Sequence, residues 1–187
     1  MRRNAARVLD EYLAAAARAG DRRAMETLAV RWSPKLFRHA YRLTGEIEMA
    51  RDAAQDGWAD IISGLPRLSD AALFPSWAFR IVTRRCADAI RRAQRRRRMI
   101  AAFALEPTPA GPDEASAESN ADRAPLRCAL SALPSEQRAA VALFYGEDLS
   151  VAEIAAALAT PVGTIKTRLM HARRKLREAL EGGKSDD

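Results

Sequence analysis

The residues best suited to chemistry lie between Leu149 and Arg174, in the string LSVAEIAAALATPVGTIKTRLMHARR. Ser150 and Glu153 have the spacing of a capping box, in which a hydroxyl and a carboxylate satisfy the orphan N–H groups at a helix start. Val151, Ile154, Ala155 and Leu158 give that helix one apolar face. Pro161 has no N–H to donate, so it ends one helix and suits the first turn of the next. In the second helix Ile165, Leu169, Ala172 and Leu176 share one side. At about 100° per residue, Gly163, Thr167, Met170, His171 and Arg174 fall opposite them. Hydroxyls, a thioether and cations on an outer face suit contact with base edges and phosphates rather than covalent catalysis. Two helices joined by a tight turn, the second with a polar basic face, form the helix-turn-helix pattern, which makes duplex DNA the expected partner.

A second charged element lies upstream. Between Arg80 and Arg98 stand nine arginines and one acid, Asp88, a local excess that accounts for the whole net charge of +7. Like charges so close repel one another, and a polyanion relieves the repulsion. On a helical wheel Phe79, Val82, Cys86, Ala89, Ile90 and Ala93 share one face, while Arg80, Arg84, Arg91, Arg95 and Arg98 share the other. Such a helix can pack its apolar side and present guanidinium forks, which match phosphate oxygens in pairs.

The elements that must position these faces are helical. The chain of 187 residues is 48% hydrophobic but only 6% aromatic, and it has no defensible alternating strand pattern. Helices are predicted over about 5–18, closed by Gly20, and over 22–43, bent near Pro34 and closed by Gly45. A third is predicted over 46–63, closed by Gly64. Leu65 to Pro75 reads as a loop, and Ser76 as the cap of a long helix from Trp77 towards Arg98. The segment from Glu106 to Asp122, rich in proline and acids, cannot bury enough surface to offset its ordering entropy and reads as a flexible linker. The expected architecture is all-α, with two small helical domains over 5–100 and 126–181 joined by a flexible acidic connector over 101–125.

Composition also excludes classes. No apolar run approaches the roughly 20 residues of a membrane helix, and acids interrupt any signal-peptide core, so a cytoplasmic protein is expected. Two histidines, no glycine-rich phosphate loop and no metal-ligand cluster argue against an enzyme and imply no cofactor or metal. Cys86 and Cys128 form no CxxC pair; Cys86 reads as a core residue, with a redox role as the alternative.

Two strings carry a family resemblance. Ala152-Glu153-Ile154-Ala155, the run Pro161 to Arg168, Ala172-Arg173 and Leu176-Arg177 resemble region 4 of bacterial sigma factors, as does the upstream Leu130 to Arg138. Leu36-Phe37, Ala40-Tyr41-Arg42, Ala50-Arg51-Asp52, Gln55-Asp56, Trp58, Trp77, Phe79-Arg80-Ile81, Asp88 and Arg91-Arg92 resemble region 2 of the extracytoplasmic-function (ECF) group. The chain departs from that pattern at Ala159, where the family usually has Gly at the turn, at Arg84, commonly Asn, and at Asp56, more usually Glu. Gly57, inside a predicted helix, is a further departure.

The resemblance implies a division of labour. Asp52, Gln55 and Asp56 share one helical face and would dock on core RNA polymerase; by spacing alone that face is an ordinary solvated one. The Pro66–Pro75 loop and the start of the following helix would capture a flipped base of the −10 element, with Phe74 and Trp77 as candidate aromatics. Trp77 serves equally as a core anchor. Arg80, Arg84, Arg91 and Arg92 would hold nearby phosphates. Lys166, Thr167, Met170 and His171 would read the −35 element, and Thr164, Arg168, Arg173 and Arg174 would contact its backbone. The acidic connector could mimic a nucleic-acid backbone or serve solubility alone. The expected partners are core RNA polymerase, promoter DNA and an anti-sigma factor. The competing functions are a sigma-like decoy for an anti-sigma factor and an autonomous helix-turn-helix regulator.

Overall fold

The computed structural model describes residues 5–103 and 124–182. The described residues form eight α-helices and two short 3-10 turns, with no strand among them. The N-terminal half holds α1 (Ala5–Arg18), α2 (Arg22–Thr44), α3 (Ile47–Gly64) and the long α4 (Phe74–Phe103). The C-terminal half holds α5 (Ala124–Ser131), α6 (Ser135–Gly146), α7 (Val151–Leu158) and α8 (Val162–Gly182). The all-α, two-part architecture agrees with the sequence. The predicted connector lies mostly outside the described residues.

Local chemistry sets the helix ends. The Asp21 carboxylate accepts from the N–H groups of Arg23 and Ala24, at 2.8 and 3.1 Å, and starts α2. Gly45, at φ 76°, closes it in the left-handed conformation that glycine adopts without a Cβ clash. Pro34 lies within α2 without ending it. The carbonyl that loses its N–H partner there belongs to Val30, at an exposed turn.

α3 ends at Gly64 as expected, but without a left-handed turn: the glycine keeps helical geometry, and Leu65 follows in it. Its lack of a side chain serves packing instead, since a Cβ there would stand 2.9 Å from Trp77 Cζ2. The predicted cap Ser76 lies inside α4, which begins at Phe74; its Oγ donates to Leu73 O at 3.0 Å. The loop between α3 and α4 carries the two 3-10 turns, Leu65–Arg67 and Ala71–Leu73, the second capped by Asp70. Arg18 pins this loop to α1 by donating to Leu68 O and Ser69 O, at 2.8 and 3.0 Å.

The N-terminal core forms where aromatic rings of α2 and α4 meet. Trp32 stands edge-on to Phe74, with centroids 5.0 Å apart, and tilted against Phe79 at 5.5 Å. His39 is fully buried beside Phe79, and its Nε2 lies 2.8 Å from Thr83 Oγ1. Asp10, also buried, is held by Arg31 at 2.9 Å and Lys35 at 3.4 Å, tying α1 to α2. Such a charge is tolerated in the interior only because it is paired.

The two halves also pack on each other, which sequence periodicity does not foretell. α7 lies against α4, and α6 against α2. Their buried apolar side chains form one contiguous core. Arg42 on α2 reaches Glu147, just past α6, at 2.5 Å, and Arg7 on α1 reaches Glu153 on α7 at 2.8 Å. Burial pushes the Glu147 carboxyl above the ordinary carboxylate range, against the downward pull of Arg42.

Two measurements test this packing. Burial, with Arg42 adding repulsion, lowers the His39 pKa from 6.5 to about 3. A depressed histidine favours the folded state fully above the unfolded pKa and loses that contribution as pH falls. Urea midpoints should therefore drop from pH 7.5 to 5, with about 2 kcal/mol lost by pH 5 at ~1.36 kcal/mol per unit; His39→Gln should flatten that profile. Ala159 closes α7 at φ 48° and ψ 45°. This left-handed conformation costs a non-glycine residue about 1–2 kcal/mol, against the extra unfolded-state entropy of glycine. Ala159→Gly should raise thermal stability by about 0.5–1 kcal/mol; no gain in the melting curve would contradict the strain.

Candidate nucleic-acid interface

α3 and α4 bring the two charged faces together. Gly57, unexplained as a helix residue in the sequence, is buried at their crossing. A Cβ on it would stand 2.7 Å from Val82 Cγ2, so its absence permits the close approach. One turn along, Arg85 donates from Nε and Nη2 to the two oxygens of Asp60, at 2.7 and 2.5 Å. This fork holds the Asp60 carboxyl below the usual carboxylate range, chiefly through the hydrogen bond. Arg85 therefore clamps one helix to the other. Sequence reading left it without a role because its partner lies 25 positions away.

Asp52, Gln55 and Asp56 are all exposed on α3. With Met49, Ala53, Ala89 and Arg92 they line an open depression of about 460 Å³ between α3 and α4. Arg92, grouped in the sequence with the phosphate-binding arginines, thus shares a hollow with the acidic face. A surface with two carboxylates, an amide and one guanidinium suits a polar, basic partner.

The arginine face of α4 is laid out as the wheel predicts. Arg80, Arg84, Arg91, Arg95 and Arg98 are exposed, while Phe79, Val82 and Cys86 are buried. Past Ala93 every residue to Ala101 is exposed, and Arg97 reaches back to pair with Glu46, just before α3, at 3.1 Å. Arg91 pairs with Asp88 one turn back. That bond holds the Asp88 carboxyl down. Arg80, Arg84 and Arg92 have no ion pair with a described residue. Cys86 has no room for redox chemistry, since burial pushes its thiol up to about 12.

The loop aromatics behave differently from each other. Phe74, a base-stacking candidate in the sequence, is fully buried, with its ring against Trp32. It has no free face for a base, and this assignment is corrected. Trp77 is half-buried over Gly64, at 6.3 Å from the Phe74 ring centroid. It anchors the start of α4 while keeping part of its indole exposed.

In the C-terminal half the capping box is formed as spaced. Ser150 Oγ accepts from Glu153 N–H at 3.3 Å, and Glu153 accepts from Ser150 N–H at 2.8 Å. Burial raises the Glu153 carboxyl, but these bonds and Arg7 bring it below its ordinary value. Ile165, Leu169 and Ala172 bury one side of α8. On the other side Thr164, Lys166, Thr167 and Met170 are exposed, as are Arg173 and Arg174; His171 is partly covered. Met170, at 58% exposure, is a large apolar group offered to solvent from a polar face. Thr167 Oγ1 donates back to Gly163 O at 3.1 Å, leaving its oxygen lone pairs outward.

Three candidate arginines have partners inside the fold. Arg168 bonds Glu136 of α6 and reaches Thr160 Oγ1 at 3.3 Å. With its side chain largely covered, it fixes α8 on α6. Arg173 donates to Tyr145 Oη at 2.7 Å and lies over the Phe144 ring at 5.5 Å. Arg174 makes a looser pair with Glu178 at 3.7 Å.

The profile described as sigma-70 region 2 matches residues 28–96, and that of sigma-70 region 4 matches residues 123–176. The ECF RNA polymerase sigma factor SigM of Mycobacterium tuberculosis is 34% identical over 172 residues, covering 91% of this chain and 84% of SigM. SigE of Mycolicibacterium smegmatis is 32% identical over 167 residues; the match covers 86% of this chain but only 64% of SigE. Among solved structures, the sigma factor RpoE of Bartonella quintana, in complex with the anti-sigma factor NepR, superposes with a TM-score of 0.68. That likeness spans 87% of this chain and 98% of RpoE at 23% identity, and it shows the fold. Helix order, the two matched regions and the identity to SigM together place this chain in the ECF group of the sigma-70 family of RNA polymerase sigma factors.

Proposed function

We propose that this chain binds core RNA polymerase and directs promoter-specific initiation, without catalytic chemistry of its own. The observation that carries the reading is the side-by-side placement of two opposed charged faces on locked helices: Asp52, Gln55 and Asp56 on α3, and the arginines of α4. An autonomous DNA-binding regulator would need only the α7–α8 unit and would have no use for the acidic face.

In this reading residues 5–100 act as region 2, 101–125 as the connector and 126–181 as region 4. The α3 face docks on the polymerase. Arg80, Arg84 and Arg91 hold phosphates near the −10 element, and Arg92 works at the border of the two faces. The exposed part of Trp77 meets an unstacked base, a contact that aromatic side chains make without regard to base identity. Phe74 supports it from the core. On α8, Lys166, Thr167, Met170 and His171 face base edges of the −35 element; Met170 suits the thymine methyl in the major groove. Thr164, Arg173 and Arg174 take backbone phosphates, and Arg168 keeps α8 in place. The site of action is the cytoplasm, with the polymerase. An anti-sigma factor is the proposed regulator, a reading supported by the solved RpoE, which is in complex with one.

Run-off transcription with core enzyme on a genomic promoter library should give transcripts starting at a fixed distance from two shared elements; silence on every promoter would overturn the reading. The double variant Asp52→Lys, Asp56→Lys should weaken core-enzyme binding more than tenfold while leaving the melting curve unchanged, because both residues are exposed. Arg174→Ala in the holoenzyme should lower the slope of log affinity against log salt by about one, the signature of one lost phosphate contact.

A further inference from the structure

Tyr145, in the last turn of α6, is a large aromatic at 59% exposure. Burial alone does not account for it, yet its ring is fixed on two sides. Phe144 stands edge-on to it, with centroids 4.9 Å apart. Arg173 of α8 donates from Nε to Tyr145 Oη at 2.7 Å. The Arg173 guanidinium also lies over both rings, 5.5 Å from the Phe144 centroid and 5.7 Å from that of Tyr145. Aromatic faces attract a cation placed this way. One hydrogen bond and two ring contacts therefore hold a single guanidinium in one orientation.

A tie between α6 and α8 is the plain use of such a pair, but Arg168 on Glu136 already supplies that tie. The arginines that join elements here meet carboxylates, as Arg85 and Arg168 do. Arg173 has a neutral partner and no ion pair with a described residue, so its charge stays uncompensated. Its Nη1 and Nη2 groups make no hydrogen bond to a described residue, and they form the fork that grips a phosphate. Its position fits that task. At about 100° per residue, Lys166, Met170 and Arg173 point within about 60° of one another. Arg173 stands about 10 Å beyond Lys166 along the helix axis. When the first turns of such a helix lie in the major groove, later residues of the same stripe reach the groove wall, where the phosphates run.

We propose that Tyr145 and Arg173 act as one phosphate clamp beside the −35 element, with Tyr145 as the positioning residue. It presets the guanidinium and gives its own hydroxyl proton to the same phosphate. An arginine loses much rotamer freedom on binding, and Tyr145 takes that loss before DNA arrives. The hydroxyl accepts from Nε and keeps its proton to donate. Accepting one bond polarises it and strengthens the next. The clamp rests on α8 being the −35 reader, as proposed above.

The test uses the full chain assembled with core polymerase on the most active duplex of the run-off library, with affinity measured at several salt concentrations. Tyr145→Phe keeps the ring and removes the hydroxyl. It should weaken promoter affinity about fivefold, the scale of one net hydrogen bond, with the salt slope unchanged because no charge is lost. Arg173→Ala should lower that slope by about one. Once Arg173 is gone, Tyr145→Phe should cost nothing further, the mark of two residues acting as a unit. Methylphosphonate substitution, which neutralises one phosphate at a time across the −35 element, should find one position that weakens the wild type and leaves both variants almost unaffected. Wild-type affinity in Tyr145→Phe, additive losses, or no phosphate position shared by the two variants would overturn the clamp and leave promoter-directed initiation standing. Equal losses of thermal stability with unchanged affinity would assign the pair to holding α6 on α8 and overturn it too. A holoenzyme with no promoter preference would overturn the reading of α8, and the clamp with it.

Discussion

The close crossing of α3 and α4 at Gly57 and Val82 governs where every N-terminal functional group stands. Glycine costs about 1 kcal/mol relative to alanine in a helix interior. An alanine there would meet Val82 Cγ2 at 2.7 Å, and overpacking of that kind costs about 1–3 kcal/mol. The overpacking term equals or exceeds the glycine term, so glycine fits the crossing better than alanine in both geometry and stability. It sets how deeply α4 sinks against α3, and the Asp60–Arg85 fork then fixes rotation and register. With both constraints in place the acidic face of α3 and the arginine face of α4 keep a constant separation. A partner that binds one face therefore sees the other at a fixed distance.

The fold was legible where one-dimensional chemistry determines it. The capping box at Ser150 and the left-handed glycines at 20 and 45 work within a few residues, and the structure forms them. The amphipathic division of α4 follows from periodicity and is equally visible. Legibility fails where a partner lies far along the chain. At Gly64 the helix ends as expected, but sequence cannot distinguish a glycine needed for backbone conformation from one needed, as here, for close approach to Trp77. Phe74 looked like a loop aromatic, but Trp32, 42 positions earlier, takes its ring into the core. The partner of Arg168 is out of sight in the sequence because Glu136 lies 32 positions upstream. The packing of one half on the other brings together residues as distant as Arg42 and Glu147, separated by 105 positions.

The arginines divide by partner. Arg85, Arg168 and Arg42 each meet a carboxylate from another part of the chain, and each ties two elements together. Arg80, Arg84 and Arg92 have no ion pair with a described residue and leave their charge available. The bidentate guanidinium fork suits both tasks, and the position of an acid decides between them. Net charge alone overstates the nucleic-acid surface, since several of its cations are already engaged within the fold. The uncommitted guanidinium groups on α4 mark the part of that charge free to meet phosphate.

The same distinction bears on how tightly the two halves can hold each other. A wholly apolar interface of this extent would resist separation, because parting the halves would expose the shared core to water. Here part of the contact is ionic and partly solvated, with Arg7 and Arg42 each more than a third exposed. Solvent screens such pairs, and their net contribution is modest. The apolar core that the halves share therefore carries most of their cohesion, and the ion pairs at its edge select one orientation.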